Sequence, residues 1–244
     1  MVYYVKIFPL CSSDSTGRNS IKQPTVSKPI VVCFTITEIG LYITILVMDL
    51  SARNRDTRWL KYTGILLCLS FALLCALRGG DRLTSLALML TAGADWFLLI
   101  QNNHLLLGVI LFLCVQALYF LRLHRSGGHP NFLWGRLALT LVFTLSPLLI
   151  PGMNTALNFT AMLYFSQLVS NAVLAWAVPS MRLFALGLTL FTGCDLCVGL
   201  FNAVPLPPAV FFIASIGMWF FYLPSQILIA LSALPKEATG NENK

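Results

Sequence analysis

Thr91-Ala-Gly93-Ala-Asp95 and Phe191-Thr-Gly193-Cys-Asp195 each set one carboxyl inside a long apolar run, 83–101 and 182–203. A segment needs roughly 20 apolar residues to cross a hydrocarbon core of about 30 Å. Both runs meet that length, and six more lie at 30–49, 60–77, 104–123, 133–151, 155–177 and 207–234. Backbone amides in hydrocarbon must pair within their own segment, so runs of this kind are helices. Short connections favour antiparallel neighbours. The expectation is an all-α, polytopic transmembrane helix bundle of about eight spans.

Composition points the same way. Only 10% of the 244 residues are charged and 57% are hydrophobic, against about 25% charged in a soluble domain. A chain of this size still needs a wet surface if it is soluble, so the deficit implies a lipid-facing one. The net charge of +7 is scattered between apolar runs and forms no stripe, which excludes a nucleic-acid face and fits basic loops at a membrane. Of the 16 Lys and Arg, 12 fall on the side of the N-terminus. That tally places both termini in the cytoplasm and the chain in a plasma membrane, taken as bacterial. The opposing four, Arg53, Arg55, Arg58 and Lys61, crowd into one loop beside Asp49 and Asp56, and a mis-assigned first span would remove the conflict. Residues 1–29 read as a flexible polar tail without a signal peptide, and 235–244 as a second tail. Six of the seven cysteines lie in apolar runs, where cysteine packs as a small hydrophobe, so no disulfide framework is expected.

The two Gly and the two Asp are each separated by 100 positions, and Arg82 and Arg182 share the offset. The pattern suggests a 4+4 internal repeat with halves near 30–123 and 133–234. Each Asp stands 13 residues after its Arg, or about 20 Å along a helix, so both carboxyls would sit at one depth. An intramembrane carboxyl is costly and usually faces the bundle interior or a wet cavity. Two that share a cavity do not both ionise, which leaves one neutral acid and one ionised partner. Acid-catalysed cleavage uses such a pair, and so does a proton-coupled carrier. The plain alternative is two protonated aspartates in interhelical hydrogen bonds.

Gln116 and Tyr119 share a face of the fourth span, and Tyr222 and Gln226 share one on the eighth. Substrate-binding candidates are therefore Gln116, Tyr119, Tyr222 and Gln226, with Asn202 after the seventh span and Glu38 in the first. Ordinary interhelical bonding is the competing reading. Asn158, Gln167 and Asn171 rank below these. Cys194 and Cys197 flank Asp195, but small residues in a helix serve packing more often than redox chemistry. His104, His124 and His129 lie at helix ends or in a loop, so no metal site is expected and a zinc-dependent amidase is disfavoured. Neither Ser/His/Asp nor Cys/His arrangements occur.

The stretches Gly93-Ala-Asp95-Trp-Phe-Leu, Gly108-Val-Ile-Leu-Phe112 and Gln116-Ala-Leu-Tyr119 resemble the YhhN-like family of eight-span membrane proteins, which includes the lysoplasmalogenases. So do Cys194-Asp195-Leu-Cys-Val-Gly-Leu-Phe201 and Tyr222-Leu-Pro-Ser-Gln226-Ile-Leu-Ile-Ala-Leu-Ser232. The resemblance covers most of residues 91–232. Gln116 replaces a family histidine and Cys194 a family serine, and glutamine cannot shuttle protons. The resemblance implies hydrolysis of the vinyl ether bond of lysoplasmalogens, with no cofactor. Asp95 and Asp195 would be the catalytic acid/base pair, and the partner a membrane lipid or lysolipid substrate. A small proton-coupled transporter and a catalytically silent lipid-binding relative stay open beside it.

Overall fold

The computed structural model describes residues 26–51, 56–127, 133–149, 152–202 and 207–235, and all regular structure among them is helical. The helices are α1 (Lys28–Ser51), α2 (Arg58–Leu77), α3 (Arg82–Asp95), α4 (Leu105–Arg125), α5 (Leu133–Leu145), α6 (Ala156–Trp176), α7 (Arg182–Asn202) and α8 (Pro208–Leu231). Each expected run falls on one of them. The tails at 1–25 and 236–244, with Cys11, Arg53 and Arg55, lie outside the described residues.

Local chemistry sets the helix ends. Asp81 caps α3 by accepting from the Leu83 and Thr84 amides. After Asp95 the coil widens into a π-helical turn, Trp96–Gln101, closed by Asn102 in the left-handed region at φ 50°. Pro147 has no amide hydrogen to continue an α-helix, and α5 tightens there into a 3-10 turn, Ser146–Leu149. Pro224 likewise leaves the Phe220 carbonyl of α8 without its helical donor. The Tyr42 hydroxyl of α1 donates to that carbonyl at 3.1 Å, fastening α1 to α8.

Six helices are long and apolar enough to cross a membrane: α1, α2, α3 with its π turn, α4, α7 with the preceding Pro179–Met181 turn, and α8. The protein is an integral membrane protein. Leu133–Leu149 is apolar but 17 residues long. In α6, Ser166, Ser170 and Asn171 are fully buried polar residues turned into the bundle.

Successive helices pack on one another except α4 and α5, and α8 returns onto α1 and α2 while α4 packs on α6. Under an offset of four helices, the α2–α8 contact is the counterpart of α6–α4. The α1–α8 contact has no partner of comparable extent between α5 and α4. The most extensive contact is α7 on α8, and it is close: a Cβ on Gly187 would meet Ile229 Cγ1 at 2.8 Å, and one on Gly217 the Cys197 sulfur at 2.6 Å. Small residues let membrane helices gain dispersion contact where lipid offers no hydrophobic driving force.

The two ends of the bundle differ in charge. At the arginine-rich end Arg122 pairs with Asp81 at 2.6 Å and donates to the Ser232 hydroxyl and carbonyl at 2.8 and 2.6 Å. At the opposite end two of the four cations lie among the described residues, and both are paired. Arg58 pairs with Asp56 at 2.7 Å and Lys61 with Asp49 at 2.8 Å. Hydrogen bonds from Arg58 hold the Asp56 carboxyl down at about 2, so the Arg58 charge is balanced at any physiological pH.

Candidate functional site

Asp95 ends the regular part of α3 and is 6% exposed. Its Oδ2 accepts a hydrogen bond of 2.6 Å from the Tyr222 hydroxyl of α8. The Tyr222 ring lies 5.5 Å from Phe191, Phe191 lies 5.7 Å from Phe112, and Phe112 lies 5.6 Å from Tyr164 of α6, centroid to centroid. Tyr164 stands against Asp195 of α7 and interacts with its carboxyl, although its hydroxyl and the Asp195 Oδ2 fall short of hydrogen-bond geometry. The two carboxyls are within electrostatic reach of each other. Each aspartate is thus met by a tyrosine from another helix, and an aromatic wall joins the two. Asp195 keeps more accessible surface than Asp95.

The remaining candidates divide. Gln116 belongs to a polar chain across three helices. Asn171 Nδ2 donates to the Gln116 carbonyl at 2.9 Å and to its Oε1 at 3.0 Å, while Asn171 Oδ1 accepts from Arg136 at 2.9 Å. Arg136 also bonds Gln167 and lies 4.0 Å over the Phe120 ring. Tyr119 is fully buried beside Thr91, one turn of α3 nearer the arginine-rich end, with its ring 5.1 Å from Phe184. Gln226 Nε2 donates to Ser225 at 3.2 Å. Glu38 is fully buried and accepts from the Cys68 thiol at 3.4 Å. Asn202 is exposed at the end of α7, where its amide donates to the Val198 carbonyl at 2.8 Å, apart from the others. Thr155 caps α6 by accepting from the Asn158 amide, and the Asn158 side chain donates to the Met153 carbonyl at 2.9 Å.

Buried polar atoms without a hydrogen-bond partner mark the interior. They include Glu38 Oε2, Thr91 Oγ1, Gln116 Nε2, Tyr119 Oη, Tyr164 Oη, Asp195 Oδ2 and Gln226 Oε1. Native proteins carry few such atoms, and each needs an explanation. Inside a helix bundle such atoms pair with ordered water or with a bound polar group. A separate cavity of about 580 Å³ opens at the arginine-rich end, among Asp81, Arg122, Arg125, Ser126, Ser180 and Phe184. Among the described residues no three His, Cys, Asp or Glu converge to hold a metal ion.

Sequence reasoning had not singled out Tyr164. One signal existed: Tyr62 of α2 and Tyr164 of α6 differ from the repeat offset by two positions. The Tyr62 hydroxyl donates to the Ala92 carbonyl at 3.3 Å, just before Asp95. No curated protein and no solved structure matches the chain. The sequence model of the YhhN family matches residues 57–233, a stretch holding both aspartates and their two tyrosines, and the chain belongs to that family.

Proposed function

We propose that the protein is an integral membrane hydrolase that cleaves the vinyl ether bond of a lysoplasmalogen, with Asp95 and Asp195 as the acid/base pair. The observation that carries this reading is their unequal pairing: Asp95 accepts from Tyr222 at 2.6 Å, whereas the Tyr164 hydroxyl beside Asp195 does not complete a hydrogen bond to its Oδ2. A carboxylate is the form that gains from a hydroxyl donor, and a carboxylic acid supplies a donor of its own. Asp195 is therefore the acid and Asp95 the ionised partner.

Asp195 gives its proton to the outer vinyl carbon, and the double bond's electrons form that C–H bond. The adjacent carbon becomes an oxocarbenium ion, stabilised by the Asp95 carboxylate. Water adds to it as Asp95 takes the water's proton, giving a hemiacetal. Asp195 then removes the hemiacetal hydroxyl proton while Asp95 protonates the departing glycerol oxygen. Aldehyde and glycerophospho-alcohol leave, and both carboxyls return to their starting forms. The aromatic wall between the aspartates suits an alkenyl chain, and the unpartnered Tyr164 hydroxyl can donate to water. The basic arginine end faces the cytoplasm in this reading, with both termini on that side.

A proton-coupled carrier built from repeats would break its helices at matching places. Here α3 widens at Trp96 while α7 stays α-helical to Asn202, which favours the hydrolase. The experiment is to follow aldehyde release from lysoplasmalogen by purified protein. Wild type should be active, with Asp95→Asn and Asp195→Asn at background. Equal release by all three sinks the reading.

A further inference from the structure

The bundle holds two charged sites where a lipid headgroup could lie, and their distances from the aspartates select between them. In a glycerophospholipid about five bonds separate the sn-1 oxygen from the phosphorus, a span on the order of 6 Å. The Asp81–Arg122 site precedes Asp95 by 14 residues of α3, or about 20 Å. A scissile bond at Asp95 cannot belong to a lipid whose phosphate lies there.

The other end fits. Trp219 lies one turn of α8 from Tyr222, with ring centroids 5.4 Å apart, and the Lys61 ammonium stands 4.7 Å over the Trp219 ring. Lys61 is 9% exposed and pairs with Asp49 at 2.8 Å. Asp49 is held independently by the Thr57 hydroxyl at 2.9 Å. Trp96, directly after Asp95, packs against Trp59 and Tyr62 at 6.2 and 5.8 Å. A desolvated ion pair recovers its solvation cost poorly when it only ties two helices. Ammonium, carboxylate and aromatic faces side by side are complementary to a phosphate that carries an amine.

Resting on the hydrolase reading, we propose that Lys61 and Asp49, under Trp219, form the headgroup subsite, and that the lipid enters from the end opposite the arginines. Lys61 turns from Asp49 to the phosphate, and Asp49, still held by Thr57, meets the amine.

The test is binding in nanodiscs, read by tryptophan fluorescence, with two saturated probes that cannot be cleaved. One is a 1-O-alkyl lysophosphatidylethanolamine and the other a 1-O-alkylglycerol of the same chain length. Wild type should prefer the phosphate-bearing ether by roughly tenfold or more. Lys61→Arg should keep that preference. The double variant Lys61→Met with Asp49→Asn leaves no charge unpaired, and it should lose the preference at unchanged melting temperature. Equal binding of both ethers by wild type, or an unchanged preference in the double variant, overturns the subsite. Wild type that shows the preference but releases no aldehyde from the vinyl ether overturns the hydrolase reading and leaves the subsite standing.

Discussion

Replacing Tyr222 with Phe removes one oxygen and little else. The ring keeps its packing on Phe191 and Trp219 at 5.5 and 5.4 Å, so chain binding should hardly change. What disappears is the 2.6 Å donor to Asp95 Oδ2. A hydrogen bond to a charged group is worth about 1.5–3 kcal/mol. If Asp95 is the carboxylate that steadies the oxocarbenium ion, the variant loses a group aligned for that moment. At about 1.36 kcal/mol per tenfold in rate, kcat should fall roughly 10- to 100-fold, with KM within about twofold. The assay is continuous aldehyde release from lysoplasmalogen, with the melting temperature measured in parallel. A kcat within about twofold of wild type, in a folded variant, refutes the role given to Asp95. A rise in KM alone would place Tyr222 in substrate binding instead.

Two further predictions concern the frame. Arg122→Met removes the ion pair with Asp81 and both bonds to Ser232. It should cost about 3 kcal/mol in a denaturant titration, the low end for breaking a buried pair because Asp81 keeps its bonds to the start of α3; a loss below about 0.5 kcal/mol contradicts the account. Gly187→Val should force α7 from α8, since even a Cβ would meet Ile229 at 2.8 Å and the Ser225 carbonyl at 3.2 Å, whereas Gly199→Ala meets nothing within 4 Å. We expect a cost of about 1–3 kcal/mol for the first and none for the second; equal melting temperatures would refute the close approach.

The helices were legible because a lipid environment leaves a long apolar run one backbone solution. Their ends were less so. The π turn after Asp95 and the 3-10 ending of α5 depend on single residues, Asn102 and Pro147, whose effect is local. The charge conflict at Arg58 and Lys61 looked like a mis-assigned span. Asp56 and Asp49 pair with these two, and such pairing across a loop is invisible to a count of cations. Asn202 looked like a cavity residue from position alone, yet its amide turns back to Val198 on its own exposed helix end. Gln116 was tied by the resemblance to a histidine position, but its carbonyl and side chain both face Asn171, which joins it to Arg136. Such cross-helix partners have no signature in spacing along one chain.

The offset of 100 made Asp95 and Asp195 look equivalent, and equivalence is the wrong property for the acid and base proposed above. One pair of carboxyls does two jobs only when their surroundings differ. The differences lie outside the repeated residues. Asp95 is followed by a widened turn, is buried, and takes its tyrosine from α8. Asp195 sits in an unbroken helix, keeps more accessible surface, and takes its tyrosine from α6 without a completed bond. A duplicated four-helix unit would supply two carboxyls at one depth, and its two copies would then diverge in the side chains around them. Restoring equivalence is the way to test that logic. A variant in which both carboxyls carry the same tyrosine contact should bind lipid normally and turn it over slowly, because neither acid would be set apart from its partner.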